Sequence, residues 1–135
     1  MQKDKSGHFE VLDGFPDDVV AVSAKGRIDH DAYAKELHPM VDASVADDGK
    51  VKLFYVLGPE FEGFTAGAAW EDTKLGLSHW SDFERVAVVT DVGWVEMGVK
   101  LFAPLMRGRV RVFGMAEWDQ AKAWVAEDDT QAVVV

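Results

Sequence analysis

The chain has 135 residues, of which 48% are hydrophobic and 11% aromatic, and 24 acidic against 14 basic residues give a formal charge of −10. That length fits one domain, since domains most often hold roughly 100–150 residues, and the apolar content is too high for a disordered chain. The negative field argues against nucleic acid as a ligand, and the absence of cysteine removes disulfides, thiolate nucleophiles and zinc–thiolate sites.

In chain order, residues 1–8 are expected to form a loose tail. MQKDKSGHFE has neither the apolar stretch nor the small-residue cleavage site of a signal peptide. Phe9–Leu12, the turn Asp13-Gly14-Phe15-Pro16 and the run Val19–Ile28 predict an antiparallel hairpin, with Val20, Val22, Ala24 and Gly26 on one face. Asp29 offers an N-cap to a helix that runs to about Asp47 and is closed by Gly49. Tyr33, Leu37, Met40, Val41 and Val45 recur at the spacing of one buried face, and Pro39 inside the segment is expected to kink or split it.

Val51–Leu57 is apolar on both faces, which predicts a central strand covered on both sides. Arg85–Asp91 and Arg109–Gly114 read as two more strands, and helices are predicted at about Thr65–His79, Asp91–Met106 and Met115–Val125. Strands joined through helices of that length are parallel. The order β-β-α-β-α-β-α-β-α therefore predicts a layered α/β domain over residues 9–127 that opens with a β-hairpin, with residues 128–135 as a second tail. No apolar run approaches the ~20 residues of a membrane-spanning helix.

The stretch most able to carry function is Val56–Gly76, which joins a buried strand to a helix start; ligands bind at the carboxyl ends of parallel strands. Gly58 and Gly63 are spaced like the glycines of a phosphate-binding loop, but Phe64 stands where the lysine belongs, and Glu60 and Glu62 oppose a nucleotide. Thr65 is placed to cap the helix through the amide of Ala68; the competing reading is a phosphorylation site. Phe61, Phe64 and Trp70 either staple the loop onto the core or line an apolar pocket or partner surface.

Further along, Trp94–Met106 is apolar nearly all round, with only Glu96 and Lys100 polar. Three readings stand for it: burial plus a dimer contact, plain core, or contact with lipid, with Trp94, Val95, Gly98, Leu101, Phe102 and Leu105 on the face concerned. Arg107, Arg109 and Arg111 share one face of a strand end and read as solvated charges. The adjacent Glu71 and Asp72 point about 100° apart, so they do not converge on a substrate. His8, His30, His38 and His79 are scattered without a metal-ligand spacing, and no G-x-S-x-G elbow occurs. No cofactor, metal or enzymatic activity is expected from these residues.

The set VLDGFPDDVVAV, KVKLFYVLGPEFEGFTAGAAWEDTKLGL, DFERVAVVTDVGW and RVFGMAEWDQAKAWV resembles the SpoIIAA-like family of small bacterial proteins over about Phe9–Val125. That family is related in fold to the STAS domains of sulfate transporters and anti-sigma factor antagonists. The resemblance implies a β/α superhelical domain beginning with a hairpin, and no defined activity. Anti-sigma antagonists carry a phosphorylated serine in an Asp-Ser-x-Gly-like turn after a central strand. Here a longer acidic loop follows Val51–Leu57, and the nearest hydroxyl is Thr65, followed by Ala66-Gly67. The expectation is a non-catalytic, cytoplasmic regulatory or protein-interaction module that acts as a homodimer. Its rival is a carrier or sensor of a small apolar ligand (a lipid or hydrophobic acid), or a domain at a membrane surface.

Overall fold

The computed structural model describes residues 7–70, 74, 82–102 and 109–127, without the side chains of residues 101 and 102. The hairpin forms as predicted: β1 (His8–Val11) pairs antiparallel with β2 (Val19–Ile28) in the register Phe9 to Ala24. It begins earlier than expected. His8 already belongs to β1, and Gly7 before it is tied to β2, its amide donating to the Arg27 carbonyl at 2.7 Å.

After β2 the Asp29 carboxylate accepts from the Ala32 amide at 3.0 Å and caps α1 (His30–Ala32). Pro39 does not split the segment. A π-helical turn over Tyr33–Leu37 precedes it, and α2 (His38–Asp48) continues to Gly49, whose φ of +75° ends the helix. The missing Pro39 amide falls where the wider turn has already re-phased the ladder, so no regular bond is lost. Tyr33, Leu37 and Val41 are buried, with Met40 and Val45 packed beside them.

β3 (Val51–Leu57) is buried at every position, and β5 (Phe83–Thr90) and β6 (Val110–Phe113) run parallel to it. One further strand, β4 (Phe61–Phe64), lies between β3 and β5 in sequence. The sheet order is β1-β2-β3-β5-β6, with β4 paired to β2 beside this path. Between β5 and β6 lies α3 (Gly93–Phe102); after β6 come a 3₁₀ turn (Met115–Glu117) and α4 (Trp118–Ala126).

The order β2, β3, β5, β6 never reverses direction across the sheet. Right-handed crossovers then put every intervening helix on one face. Tyr33, Leu37, Val41, Ala68 and Val95, drawn from three such connections, accordingly share one core with Val22, Leu53 and Val88. The opposite face falls to α4 alone, where Ala121 and Val125 pack on Phe54, Val56, Ala87, Val89 and Phe113. Both rows of β2 are therefore buried, Val19 and Ala21 as well as Val20 and Val22.

Polar side chains tie α4 down at its far end. Lys52, 1% exposed, donates from Nζ to the Ala126 carbonyl at 3.1 Å and pairs with Asp18 at 3.2 Å. Arg85 donates to the Trp124 carbonyl at 3.0 Å and lies over its ring, 4.8 Å from the centroid. Of the strand-end arginines, Arg111 is exposed, as expected of a solvated charge, and Arg109 is half-buried. Arg109 donates to the Phe83 carbonyl at 3.1 Å, and Arg111 lies 4.9 Å from the Phe113 ring centroid; Arg107 lies outside the described residues.

Candidate functional site

The stretch after β3 was read as a loop, and part of it is strand. β2 is longer than its partners: Val19–Ser23 pair with β3, and Gly26–Ile28 extend past it to pair with β4. The Gly26 amide donates to the Glu60 carbonyl at 2.7 Å and the Thr65 amide to the Ile28 carbonyl at 2.9 Å, so both ends of β4 are anchored to that overhang. In the register, Phe61 faces Gly26 while Gly63 faces Arg27, which leaves Glu62 as one extra residue. Gly63 has φ +120° and Gly26 φ +71°, conformations that glycine adopts without a Cβ clash.

The extra residue matters because side chains three apart on a regular strand point to opposite faces. The bulge re-phases β4. Phe61 and Phe64 thereby stand on the same face with ring centroids 4.9 Å apart. Both meet Trp94 of α3, at 6.1 Å and 6.0 Å, and Phe64 also reaches Tyr33 at 6.2 Å. Two stretches singled out separately in the sequence are thus one aromatic cluster.

The start of α3 is fixed from the sheet. Thr90 donates its hydroxyl to the Leu57 carbonyl at 2.8 Å and accepts the Val92 amide at 3.0 Å, which sets the direction in which the chain leaves β5. Val95 then turns into the core at 8% exposure, while Trp94 and Met97 remain 59% and 66% exposed. Their i, i+3 spacing places them side by side. Gly98 is half-buried, and Glu96 and Lys100 pair at 2.9 Å along the helix. The backbone of Leu101 and Phe102 completes α3, and Leu105 lies outside the described residues.

Thr65 is half-buried, and its hydroxyl accepts the Ala68 amide at 3.1 Å, the predicted cap. Trp70 does not join Phe61 and Phe64 around a pocket. It is 63% exposed and makes no ring contact among the described residues, while the two phenylalanine rings fill the space between themselves and Trp94. Gly58 and Glu60 face the other side of the sheet. There Lys25 pairs with Glu60 and, at 3.4 Å, with Glu10. The hydrogen bond to Glu60 raises the Lys25 ammonium pKa above its usual value, and the same bond holds the Glu60 carboxyl below the usual carboxylate range. Glu62 is exposed on the bulge.

The Phe61–Trp94 contact was not legible in the sequence. The one local signal was the pattern Phe-Glu-Gly-Phe, whose glycine permits a bulge. No helix among the described residues is long and apolar enough to cross a membrane.

No curated protein matches the chain. Among solved structures, an uncharacterised protein of the DUF3478 family with a SpoIIAA-like fold, from Shewanella loihica PV-4, superposes with a TM-score of 0.72. The two share 22% identity over 93% of this chain and 98% of that one, which shows a common fold. The SpoIIAA-like family model matches residues 19–126, from the first residue of β2 to the last of α4. With its hairpin, its unreversed run of parallel strands and that match over most of its length, the chain belongs to the SpoIIAA-like family.

Proposed function

We propose that the protein is a non-catalytic interaction module that pairs with a second copy of itself through the aromatic cluster of β4 and α3. One observation carries this reading: Trp94 and Met97 stand one helical turn apart and more than half exposed, with Trp94 against the rings of Phe61 and Phe64. Exposed tryptophan and methionine over a half-buried aromatic base is the composition of an interface centre, where Trp, Phe and Met are enriched and charges depleted. The nearest charges on α3, Glu96 and Lys100, pair with each other, so the helix itself brings no net charge to the contact.

The choice of variant follows from burial. A charge at Val95 would strike the core and unfold the domain, whereas Trp94→Glu and Met97→Glu change only the rim of the cluster. The test is sedimentation velocity over a concentration series, with circular dichroism as the control for folding. A wild-type dimer that both variants convert to folded monomers supports the proposal. A wild type that stays monomeric at high concentration, or that sediments with anionic lipid vesicles through these same residues, contradicts it.

A further inference from the structure

With three connections packed on one face, α4 has the other to itself, and nine residues of helix do not cover it. β1 and the later half of β2 are left over on that side. There, beside the residues that follow β3 and β6, a cavity of about 430 Å³ opens, with Leu12, Ser23, Val56, Met115 and Trp118 in its lining. The volume lies within the ~300–1,000 Å³ of small-molecule sites, and Val56, Gly58 and Met115 place it near the carboxyl ends of β3 and β6.

The walls are built and held. Asp91 accepts the Met115 amide at 3.0 Å, and Glu117 accepts the Gly114 amide at 2.8 Å. These two bonds fix the 3₁₀ turn that carries Met115 and Trp118 to the cavity, and Trp118 is further set edge-on against Phe54 at 5.1 Å. At the base, Ser23 is 5% exposed, and its hydroxyl makes no hydrogen bond among the described residues. The residue lines the cavity, so its hydroxyl is free to bond a water or a ligand atom there.

The mouth decides the ligand's charge. Lys25 is the one ammonium in the lining, and Glu10 and Glu60 already hold it. Glu62 and His8 continue the rim outward. Two carboxylates and one ammonium line the cavity and Glu62 stands farther out, so the entrance keeps a net negative charge that favours a cation, which shares Glu10 and Glu60 with Lys25. We infer that this cavity binds a small, flat organic cation. Its apolar ring lies between Met115 and Trp118, its hydrogen-bonding edge meets Ser23, and its ammonium group sits at Glu10 and Glu60. This site lies on the face opposite the aromatic cluster and stands or falls independently of self-association.

Three probes that share a ring and differ in charge make the test: tryptamine, indole and indole-3-acetate, titrated against ¹⁵N-labelled protein. The expected result is saturable shifts at the amides of Ser23, Lys25, Gly58, Met115 and Trp118, with tryptamine binding at least about tenfold more tightly than indole-3-acetate. Gly58→Val serves as a plug. A Cβ there meets the flexible end of Met115 at 3.3 Å, and Gly58 needs no positive φ, so the fold is kept while the cavity fills. That variant should lose about tenfold or more in tryptamine affinity, Ser23→Ala a smaller factor, and Glu60→Gln should narrow the gap between cation and anion. The inference is overturned by any of three results: no saturable shift at these amides with millimolar tryptamine, unchanged affinity in Gly58→Val, or indole-3-acetate binding as tightly as tryptamine.

Discussion

Replacing Phe64 by alanine removes the ring that joins three separate pieces of chain: Tyr33 at 6.2 Å, Phe61 at 4.9 Å and Trp94 at 6.0 Å, between centroids. Truncating a fully buried phenylalanine costs about 3–5 kcal/mol. Phe64 is half-buried, so the loss expected here is about 2–3 kcal/mol, including the edge-to-face contact with Trp94. In a chain of this size each kcal/mol moves the melting temperature by about 3–5 °C, which gives a fall of about 6–15 °C. Urea unfolding supplies the magnitude, and amide hydrogen exchange supplies the location. The Thr65 and Gly26 amides, which anchor β4 to β2, should exchange faster, while Val56 and Val88 in the central strands keep their protection relative to global stability. Phe64→Leu should recover most of the loss. An unchanged midpoint, or protection lost equally across the sheet, would refute the claim that this ring holds β4 against α3.

Thr65→Ala should cost about 0.5–2 kcal/mol through loss of the cap on Ala68, and Thr65→Ser should restore it, both read by urea unfolding. Gly7→Ala should destabilise by about 1–3 kcal/mol, because its Cβ would press on the carbonyls of Lys25 and Arg27 and part β1 from β2; a neutral result would show that the edge strand adjusts freely. The Lys25–Glu60 pair gives a pH dependence. Because the folded Glu60 pKa lies below its unfolded value, its contribution is complete above the ordinary carboxylate range and disappears as pH falls through the lowered value. The raised Lys25 pKa adds stability that is complete below the ordinary lysine range and is lost only above it, so the pair is intact at neutral pH. Side-chain NMR titration should show both shifts relax toward ordinary values in the Glu60→Gln and Lys25→Met variants, respectively by loss of the partner.

Much of the fold was legible because local signals agreed with each other. The apolar run Val51–Leu57 could only be a central strand, the turn Asp13–Pro16 could only close a hairpin, and Asp29 and Gly49 bracket their helix as cap chemistry requires. β4 escaped because it is four residues long, contains Glu62 and Gly63, and owes its existence to the overhang of β2, a partner more than thirty residues away. Pro39 misled because the π-helical turn before it follows from packing Tyr33 and Leu37 into the core, and no single residue announces that.

The candidate site was half legible. Phe61, Phe64, Trp94 and Val95 were identified, but as two regions, since the bulge that aligns the rings and the crossover that brings α3 to them are tertiary facts. Trp70 was grouped with the phenylalanines by nearness in sequence alone, and it points elsewhere. The cavity beside the start of α4 left no trace in the sequence. Its lining comes from β1, β2, the end of β3 and the three residues Gly58–Glu60 after it, the 3₁₀ turn and the start of α4, and Ser23 reads as an ordinary strand residue until its burial is known.

The most direct test of the interaction reading is sedimentation velocity on the wild type and Trp94→Glu. With 59% of the Trp94 side chain exposed, its burial in a dimer removes about 150 Å² from water per protomer. Truncating a tryptophan at an interface centre costs about 2 kcal/mol or more, so losing it should weaken association by about 30-fold or more. The predicted outcome is a wild-type dimer and a folded Trp94→Glu monomer at the same concentration. A wild type that sediments as a monomer throughout, or a Trp94→Glu dimer as tight as the wild type, would contradict it.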